Sequence, residues 1–258
     1  MQARHQTRNG DRSSTDKATV KTLISANVTS WRSAVGKFKN WQADYLALQE
    51  VRLNKRGQLV ATRAADAAGY NIEFGAACAA QTFQRSRSRY KICTRVRQGG
   101  TAILAKKSKA VLVPSGRKWH AAKELFTSAR HIRAALVSSS KNNVQTPVHI
   151  SCGYLESGST STIKARRERQ LELLMEDAAA LGDQAVYLCL DTNTKIRRSA
   201  TLKKAIASGH WHDLGAVFAP RRGKKRSKKT PRPTFGKDPR WNRKSWVLRV
   251  CTTSARLG

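Results

Sequence analysis

Short apolar runs of strand length alternate along this chain with segments of helical periodicity, and this alternation restricts the possible folds more than any other sequence feature. Ala185–Leu190 (AVYLCL) is continuously apolar, as is typical of a strand buried on both faces. Leucine spacing predicts a helix from Thr162 to Leu181, which Gly182 ends. Interleaved strands and helices over residues 20–215 predict a layered α/β fold.

The other predicted elements are shorter. Helices are expected after the N-cap candidates Ser30 and Ser199, and at Leu59–Ala68. Further strands are expected at Val20–Asn27, Asp44–Gln49, Tyr70–Phe74, Thr101–Ala105, Ile132–Val137 and Val148–Leu155.

Composition divides the chain into three parts. Residues 20–219 contain the predicted elements and are expected to form one domain. Residues 1–19 are polar and poor in large apolar side chains, which predicts a disordered basic arm. Residues 220–258 are predicted to be a basic, largely disordered tail, because the run RRGKKRSKKTPR at 221–232 has no core-forming side chain.

The chain is far more basic than folding requires. Fifty Lys and Arg oppose 16 Asp and Glu, which leaves a formal charge of +34 whose self-repulsion opposes compaction. A polyanionic partner that neutralises this charge is the simplest explanation, and acidic proteins or anionic membranes are the alternatives. No long apolar run or basic amphipathic helix favours a membrane. We therefore expect binding to nucleic acid, DNA in preference to RNA, and no membrane association.

Two basic clusters are the candidate nucleic-acid-binding residues. Runs of charge are usually solvated faces, but this excess has a single sign and exceeds what solubility needs. The second cluster also matches a nuclear import signal, so a nuclear location is expected. The clusters are Arg85, Arg87, Arg89, Lys91, Arg95 and Arg97, and Lys224, Lys225, Arg226, Lys228 and Lys229.

The cysteine pattern argues against a zinc site or a disulfide framework. The chain has 5 cysteines and no CxxC pair. Cys152 and Cys189 lie within apolar runs and are predicted to be buried thiols. The polar N-terminus lacks a signal-peptide core, so an intracellular, reducing compartment is expected.

Acidic residues are scarce, and two of them follow apolar strands directly. Glu50 follows Asp44–Gln49, and Asp191 follows Ala185–Leu190. A single carboxylate at a strand end is more often a turn or cap residue. Ligands of layered α/β folds also gather at strand ends, however, and two such carboxylates favour a shared site.

The order of the polar motifs resembles the endonuclease/exonuclease/phosphatase superfamily. This group includes abasic-site endonucleases, pancreatic-type deoxyribonuclease and the endonuclease domains of non-LTR retrotransposons. The resemblance spans residues 20–215 and implies a four-layered α/β sandwich of two mixed sheets. The motifs are Asn27, Leu48-Gln49-Glu50, Gly99-Gly100, Tyr154 and Asp191-Thr192-Asn193.

The resemblance also implies roles for the site residues. Glu50 would be the principal ligand of Mg²⁺, for which Mn²⁺ is a possible substitute, and Asn27 would lie beside it. Asp191 would orient or deprotonate the attacking water, and Asn193 would donate a hydrogen bond to the phosphate. Tyr154 would contribute its phenol to the transition state. As alternatives, Tyr154 is a half-buried strand tyrosine and Asn27 terminates its strand.

Two features depart from the family pattern. Leu190 occupies the position where the family usually has Gly. No Ser-Asp-His triplet follows Asp191, so the last strand or strands are expected to be missing, and a truncation, a shifted reading frame or a pseudogene-like fragment would each explain this. A missing general base and a missing charge-stabilising group each reduce rates by about 10²–10⁴-fold, which predicts weak or no activity.

Three functions remain open from the sequence. The first is an Mg²⁺-dependent endonuclease of retroelement type with an incomplete active site. The second is a non-catalytic nucleic-acid-binding remnant of the same fold. The third is a phosphatase for lipid or inositol phosphates, which the wide spread of basic charge argues against, since a small head group needs only a local pocket.

Overall fold

The computed structural model describes residues 22–78, 80–87, 90–97, 99–114, 128–138, 147–214 and 245–250. The predicted N-terminal arm lies outside these residues, as do Arg89, Lys224, Lys225, Arg226, Lys228 and Lys229.

The first sheet has four strands and is mixed. In chain order they are β1 (Leu23–Asn27), β2 (Tyr45–Gln49), β3 (Tyr70–Phe74) and β6 (Thr101–Lys106). Their spatial order is β1-β2-β6-β3. Strands β1 and β2 are parallel, and β6 is antiparallel to both of its neighbours.

Strands β4 (Ala80–Arg87) and β5 (Tyr90–Arg97) form a separate antiparallel ribbon that the apolar pattern does not predict. In its register Arg85 is opposite Ile92, and Arg95 is opposite Thr82. Five of the predicted nucleic-acid-binding residues therefore belong to one two-stranded element: Arg85, Arg87, Lys91, Arg95 and Arg97.

The second sheet has six strands and is also mixed. In chain order they are β7 (Ala110–Pro114), β8 (His131–Ser138), β9 (Val148–Tyr154), β10 (Val186–Asp191), β11 (Trp211–Asp213) and β12 (Ser245–Val250). Their spatial order is β11-β12-β10-β9-β8-β7. Only β9 and β10 form a parallel pair in this sheet.

Ser245–Val250 of the predicted tail forms strand β12, and the other residues of 220–258 lie outside the described ranges. Ser245–Val250 lies between β10 and β11, antiparallel to both. The absence of a catalytic triplet does not prevent an apolar run such as Trp246–Leu248 from pairing as a strand.

Helices cover the outer faces of both sheets. Helices α3 (Lys55–Ala67) and α4 (Ser161–Ala179) begin after the N-caps Asn54 and Thr160. The side chains of these caps accept hydrogen bonds from backbone N–H groups three residues later. Ser30 and Ser199 cap α1 and α5 as predicted. The helices are α1 (Trp31–Val35), α2 (Phe38–Trp41), α3 (Lys55–Ala67), α4 (Ser161–Ala179) and α5 (Ala200–Ala207).

Three apolar cores separate four layers. One packs Trp31 and Ala61 of the helices against Leu46 of the first sheet. A second packs Leu171 and Leu174 of α4 against the second sheet. The third lies between the two sheets and contains both Ile103 and Ile150. This arrangement confirms the predicted α/β sandwich of two mixed sheets.

None of the described helices combines the length and the apolar character that a membrane-spanning helix requires.

Candidate active site

The polar residues at the ends of four strands meet at one edge of the sandwich. Strands β1 and β2 are parallel, with Asn27 opposite Gln49, so both end at the same edge of the first sheet. Strands β9 and β10 are parallel, with Tyr154 opposite Asp191, so both end at the same edge of the second. The hydrogen bonds described next join these two edges.

Asn27 connects the two carboxylates that the sequence analysis selected. Its Nδ2 donates to Glu50 Oε1 at 2.9 Å and to Asp191 Oδ2 at 2.6 Å. Its Oδ1 accepts from the backbone N–H of Thr29 at 3.0 Å, which fixes the orientation of the amide. Residues 50 and 191, remote along the chain, are therefore brought to a single amide group.

Glu50 reaches this position because the backbone turns sharply after β2. Side-chain alternation along an extended strand would place Glu50 on the opposite face from Gln49. Glu50 and Arg52 instead have left-handed backbones, with φ of 58° and 54°. Such residues cost about 1–3 kcal/mol each and occur where the surroundings enforce them. Glu50 is 9% exposed, and its carboxylate also forms an ion pair with the Arg52 guanidinium.

The Gly99-Gly100 pair holds this turn in place. The N–H groups of Val51 and Arg52 donate to the carbonyls of Gly100 and Gly99, both at 3.1 Å. Gly100 has a φ of 85°, and a Cβ there would lie 2.8 Å from Cys78 Sγ. Glycine is therefore needed beside the Glu50 turn, which gives this motif a structural reason.

Asp191 is almost fully enclosed, with 3% exposure. Its Oδ1 accepts from the backbone N–H of Asn193 at 3.3 Å, and its carbonyl accepts from Leu155 N at 2.9 Å. Asn193, with φ of 47°, donates from its Nδ2 to the Leu155 carbonyl at 2.8 Å. The Asp-Thr-Asn turn after β10 is thus joined to the loop after Tyr154.

The Leu190 departure is accommodated by the neighbouring strand. Leu190 is fully buried in the core below α4 and is opposite Gly153 in the register of β9 and β10. A Cβ on residue 153 would lie 2.7 Å from Leu190 Cδ2. The missing side chain at 153 therefore provides room for the leucine, and β10 continues to Asp191.

Tyr154 lies below a guanidinium group that the sequence analysis missed. The Arg130 guanidinium carbon is 5.1 Å from the centre of the Tyr154 ring, and Tyr154 N donates to the Arg130 carbonyl at 2.8 Å. Burial, followed by the nearby charge of Glu50, raises the pKa of Tyr154 above its usual value. Its phenol therefore remains protonated and able to donate at neutral pH.

Two buried N–H donors at this edge have no hydrogen-bond partner among the described residues, Arg52 Nε and Arg130 Nη1. A buried unsatisfied donor costs about 1–3 kcal/mol, more when it is charged. Arg52 lies only two residues after Glu50, so a search for positive charge near this acid in the sequence would have identified it. Arg130 has no motif around it, and only the pairing of β8 with β9 brings it to Tyr154.

The side chains at this edge suit a hard divalent cation. Mg²⁺ typically binds one or two carboxylates together with water and substrate phosphate, without a full protein cage. Glu50 and Asp191 supply two carboxylates within reach of one amide group. Within the described ranges there is no group of three or more His, Cys, Asp or Glu that could hold a metal. The Asn27 Oδ1 faces Thr29, so Asn27 would have to rotate to act as a ligand.

The chain was compared with protein-family models and with curated proteins, and neither comparison gave a match. Solved structures do match over most of the chain, each at low sequence identity. An AP endonuclease from Archaeoglobus fulgidus has a TM-score of 0.57 at 16% identity, covering 90% of this chain and 87% of that one. Danio rerio TDP2, complexed with a single-strand DNA product, has a TM-score of 0.55 at 15% identity, with coverages of 91% and 85%.

An endonuclease/exonuclease/phosphatase family protein from Bacteroides thetaiotaomicron has a TM-score of 0.52 at 12% identity and covers 89% of this chain and 83% of that one. These likenesses concern the fold. The chain has the endonuclease/exonuclease/phosphatase fold that its motif order predicts.

Proposed function

We propose that this protein is an Mg²⁺-dependent phosphodiesterase that cleaves the backbone of nucleic acid, DNA in preference to RNA. The observation that supports this proposal most directly is the bridging of Glu50 and Asp191 by Asn27. Two carboxylates that share one neutral donor at a sheet edge are arranged for a cation and for the phosphate that accompanies it.

A bound Mg²⁺, or Mn²⁺ in its place, would polarise a phosphoryl oxygen and offset charge on the leaving oxygen. Glu50 and Asp191 would hold that ion, and Asp191 is also the residue best placed to orient the attacking water. The protonated phenol of Tyr154 would donate to the phosphate. Asn193 uses one amide proton for the Leu155 carbonyl and keeps its second for a phosphate oxygen.

The charge of the chain supports a nucleic-acid substrate. Arg52 and Arg130 each have a donor at the site edge without a partner among the described residues, and phosphate oxygens are natural acceptors for guanidinium groups. Further out, the formal charge of +34 suits a long polyanion better than a small metabolite. Two neighbours of the same fold agree with this: one is an AP endonuclease, and the other is complexed with a single-strand DNA product.

The proposal includes a retroelement-type origin, a nuclear location and slow turnover. Residues 192–258 contain no Ser-Asp-His triplet, so these residues do not supply the general base and the second charge-stabilising group of that motif. Each is commonly worth about 10²–10⁴ in rate. We expect nicking that is measurable over hours and dependent on Mg²⁺.

A second candidate is a non-catalytic nucleic-acid binder. The observation in its favour is the ion pair between Arg52 and Glu50, which neutralises one of the two carboxylates that a cation needs. In that case the fold would serve only to present its basic surface, and affinity would fall steeply with salt, by a log–log slope of about −0.9 per phosphate contact on duplex DNA.

A plasmid-nicking assay with Mg²⁺ separates the two candidates. We expect the intact chain to nick, and both Glu50→Gln and Asp191→Asn to lose that activity. Asp66→Asn is the matched control. Asp66 is an exposed acid on α3 that pairs with Lys107, away from the site edge. Equal nicking by all four proteins would indicate a contaminating nuclease, and no nicking with salt-sensitive binding would favour the binder. Inositol phosphates in parallel test the phosphatase alternative.

A further inference from the structure

Gln49 is a fully buried amide at the centre of the sandwich, directly below the site. It has 0% exposure and lies on the face of β2 that meets the second sheet. Its Nε2 donates to Ser25 Oγ at 3.1 Å in the first sheet and to the Cys189 carbonyl at 3.2 Å in the second. Cys152 Sγ is also within 3.4 Å. One amide group thus joins the two sheets within their apolar interface, one layer below the Asn27–Asp191 hydrogen bond.

Besides the Ala47 carbonyl of its own strand, at 3.4 Å, Gln49 has three partners on other strands, and these share one geometric property. Ser25 stands two residues before Asn27 on β1, Cys152 two residues before Tyr154 on β9, and Cys189 two residues before Asp191 on β10. Residues two apart on a strand point to the same face and lie about 6.6 Å apart. Each partner is therefore located directly below a site residue.

Gln49 itself is the residue immediately before Glu50, so all four strands that end in site residues meet at its amide. The Cys152 thiol remains neutral in this contact, because burial raises its pKa to about 12. The contact is therefore one between dipoles, which depends on distance and direction and not on a mobile charge.

Stability alone does not account for a glutamine at this position. Its Oε1 is buried and has no hydrogen-bond partner among the described residues. An unsatisfied buried acceptor costs about 1–3 kcal/mol, whereas an apolar side chain of similar volume would pack between the sheets without that cost. The neighbours on the same face of β2, Tyr45 and Ala47, belong to the apolar core between the sheets.

We propose that Gln49 is a positioning residue that fixes the separation of Glu50 and Asp191 by tying β2 to β10 directly below them. The consequence for catalysis rests on the function proposed above. The consequence for geometry is independent of that function, because the bridge between the carboxylates through Asn27 exists without any substrate or metal.

The test compares Gln49→Met with Tyr70→Phe in the full chain. Methionine keeps the volume and removes the donor. Tyr70→Phe also removes one buried hydrogen bond, from Tyr70 Oη to the Ala43 carbonyl at 2.8 Å, but at the start of β3, away from the four strand ends. Tyr70→Phe is thus the matched control for a general loss of stability.

Three measurements are made on both variants: the thermal midpoint, the Mg²⁺ dissociation constant by calorimetry, and the side-chain amide resonances of Asn27 without metal, assigned with Asn27→Ser. We expect the two variants to have similar thermal midpoints. In Gln49→Met alone, the Mg²⁺ dissociation constant should be at least tenfold higher and the Asn27 resonances should shift. In nicking, the Mg²⁺ concentration for half-maximal rate should rise while the KM for DNA stays unchanged.

Unchanged Asn27 resonances in a folded Gln49→Met protein would overturn the proposal. If Gln49→Met does not fold, Ser25→Ala removes one acceptor of the same amide, and the same resonances should shift by a smaller amount; no shift there would also overturn it. If the wild-type chain neither binds Mg²⁺ nor nicks DNA, the proposed function fails, but the Asn27 resonances still decide the positioning role.

Discussion

Two clusters of buried or partly buried polar side chains lie on opposite faces of the second sheet, and they are built in contrasting ways. The site cluster, on the face towards the first sheet, consists of Asn27, Glu50, Tyr154 and Asp191. The covered cluster, on the face towards α4, consists of His131, Arg133, His149, Ser151 and Asp177. Both are enclosed, but only the site cluster has two anions that share one neutral donor.

The covered cluster matches its charges internally. Arg133 forms an ion pair with Asp177 at 3.0 Å and also donates to the Asp177 carbonyl at 2.9 Å. His131 Nε2 contacts Ser151 Oγ at 2.7 Å, and His149 contacts Gln184. The comparison teaches that burial of an acid does not identify a site in this protein. We expect Asp191, at a strand end beside the neutral Asn27 amide, to be functional, and Asp177, on α4 beside the Arg133 guanidinium, to be structural.

The same substitution in the two clusters gives the largest expected difference. Asp177, 2% exposed, and Asp191, 3% exposed, are equally buried. Asp177→Asn leaves the Arg133 charge uncompensated, so we expect it to lower the free energy of unfolding by about 3–5 kcal/mol. Asp191→Asn keeps an acceptor for Asn27 and removes one of two adjacent anions, so we expect a change of about 1 kcal/mol or less. Urea unfolding of both variants measures this.

The double variant Arg133→Met/Asp177→Leu sharpens this result. Apolar side chains of similar size remove the ion pair without leaving a lone charge, and such replacements are often neutral. We expect the double variant to regain most of the stability that Asp177→Asn loses. A loss as large as that of the single variant would mean that the pair itself stabilises the fold.

The covered histidine is expected to give an effect that is smaller per pH unit. Burial, with a contribution from the charge of Arg133, lowers the pKa of His131 to about 3. The unfolded chain, with a histidine pKa near 6.5, therefore binds more protons between pH 3 and 6.5, and stability rises with pH across that window. His131→Gln should remove a slope on the order of 1.4 kcal/mol per pH unit.

The difference between the two pH curves isolates His131 from its neighbours. His149 also has a pKa lowered by burial, and it titrates in both proteins. Burial raises the pKa of Asp177, which gives a slope of opposite sign in both. The free energy of unfolding in urea is measured against pH for wild type and His131→Gln. Curves that run parallel would contradict the assignment of a neutral, enclosed imidazole.

The sequence was sufficient for the fold and for the grouping of the strand-end residues. Apolar runs are local patterns, so the position of Asp191 at the end of β10 followed from them. Asn27 and Tyr154 were grouped with it through the resemblance in motif order. Strand Ser245–Val250 was not among the predicted elements, because its short apolar run lies within a strongly basic segment.

The rest of the site depends on backbone geometry and long-range pairing. The left-handed turn at Glu50 could not be predicted from the sequence, because glutamate rarely adopts a positive φ. Arg130 reaches Tyr154 only because β8 pairs with β9. The room that Gly153 gives Leu190 depends on the register of β9 and β10.

The smallest predicted effect concerns the one ion pair of the site cluster. The Arg52 side chain is 36% exposed, and pairs at such positions contribute about 1 kcal/mol or less, because water screens them. Arg52→Met should therefore free the Glu50 carboxylate and tighten Mg²⁺ binding by less than about fivefold, a factor that corresponds to that energy. Calorimetric titration with Mg²⁺ tests this, with Arg56→Met as the control, because Arg56 is an exposed cation in the first turn of α3. Weaker Mg²⁺ binding in Arg52→Met would show that the guanidinium orients Glu50 for the ion instead of competing with it.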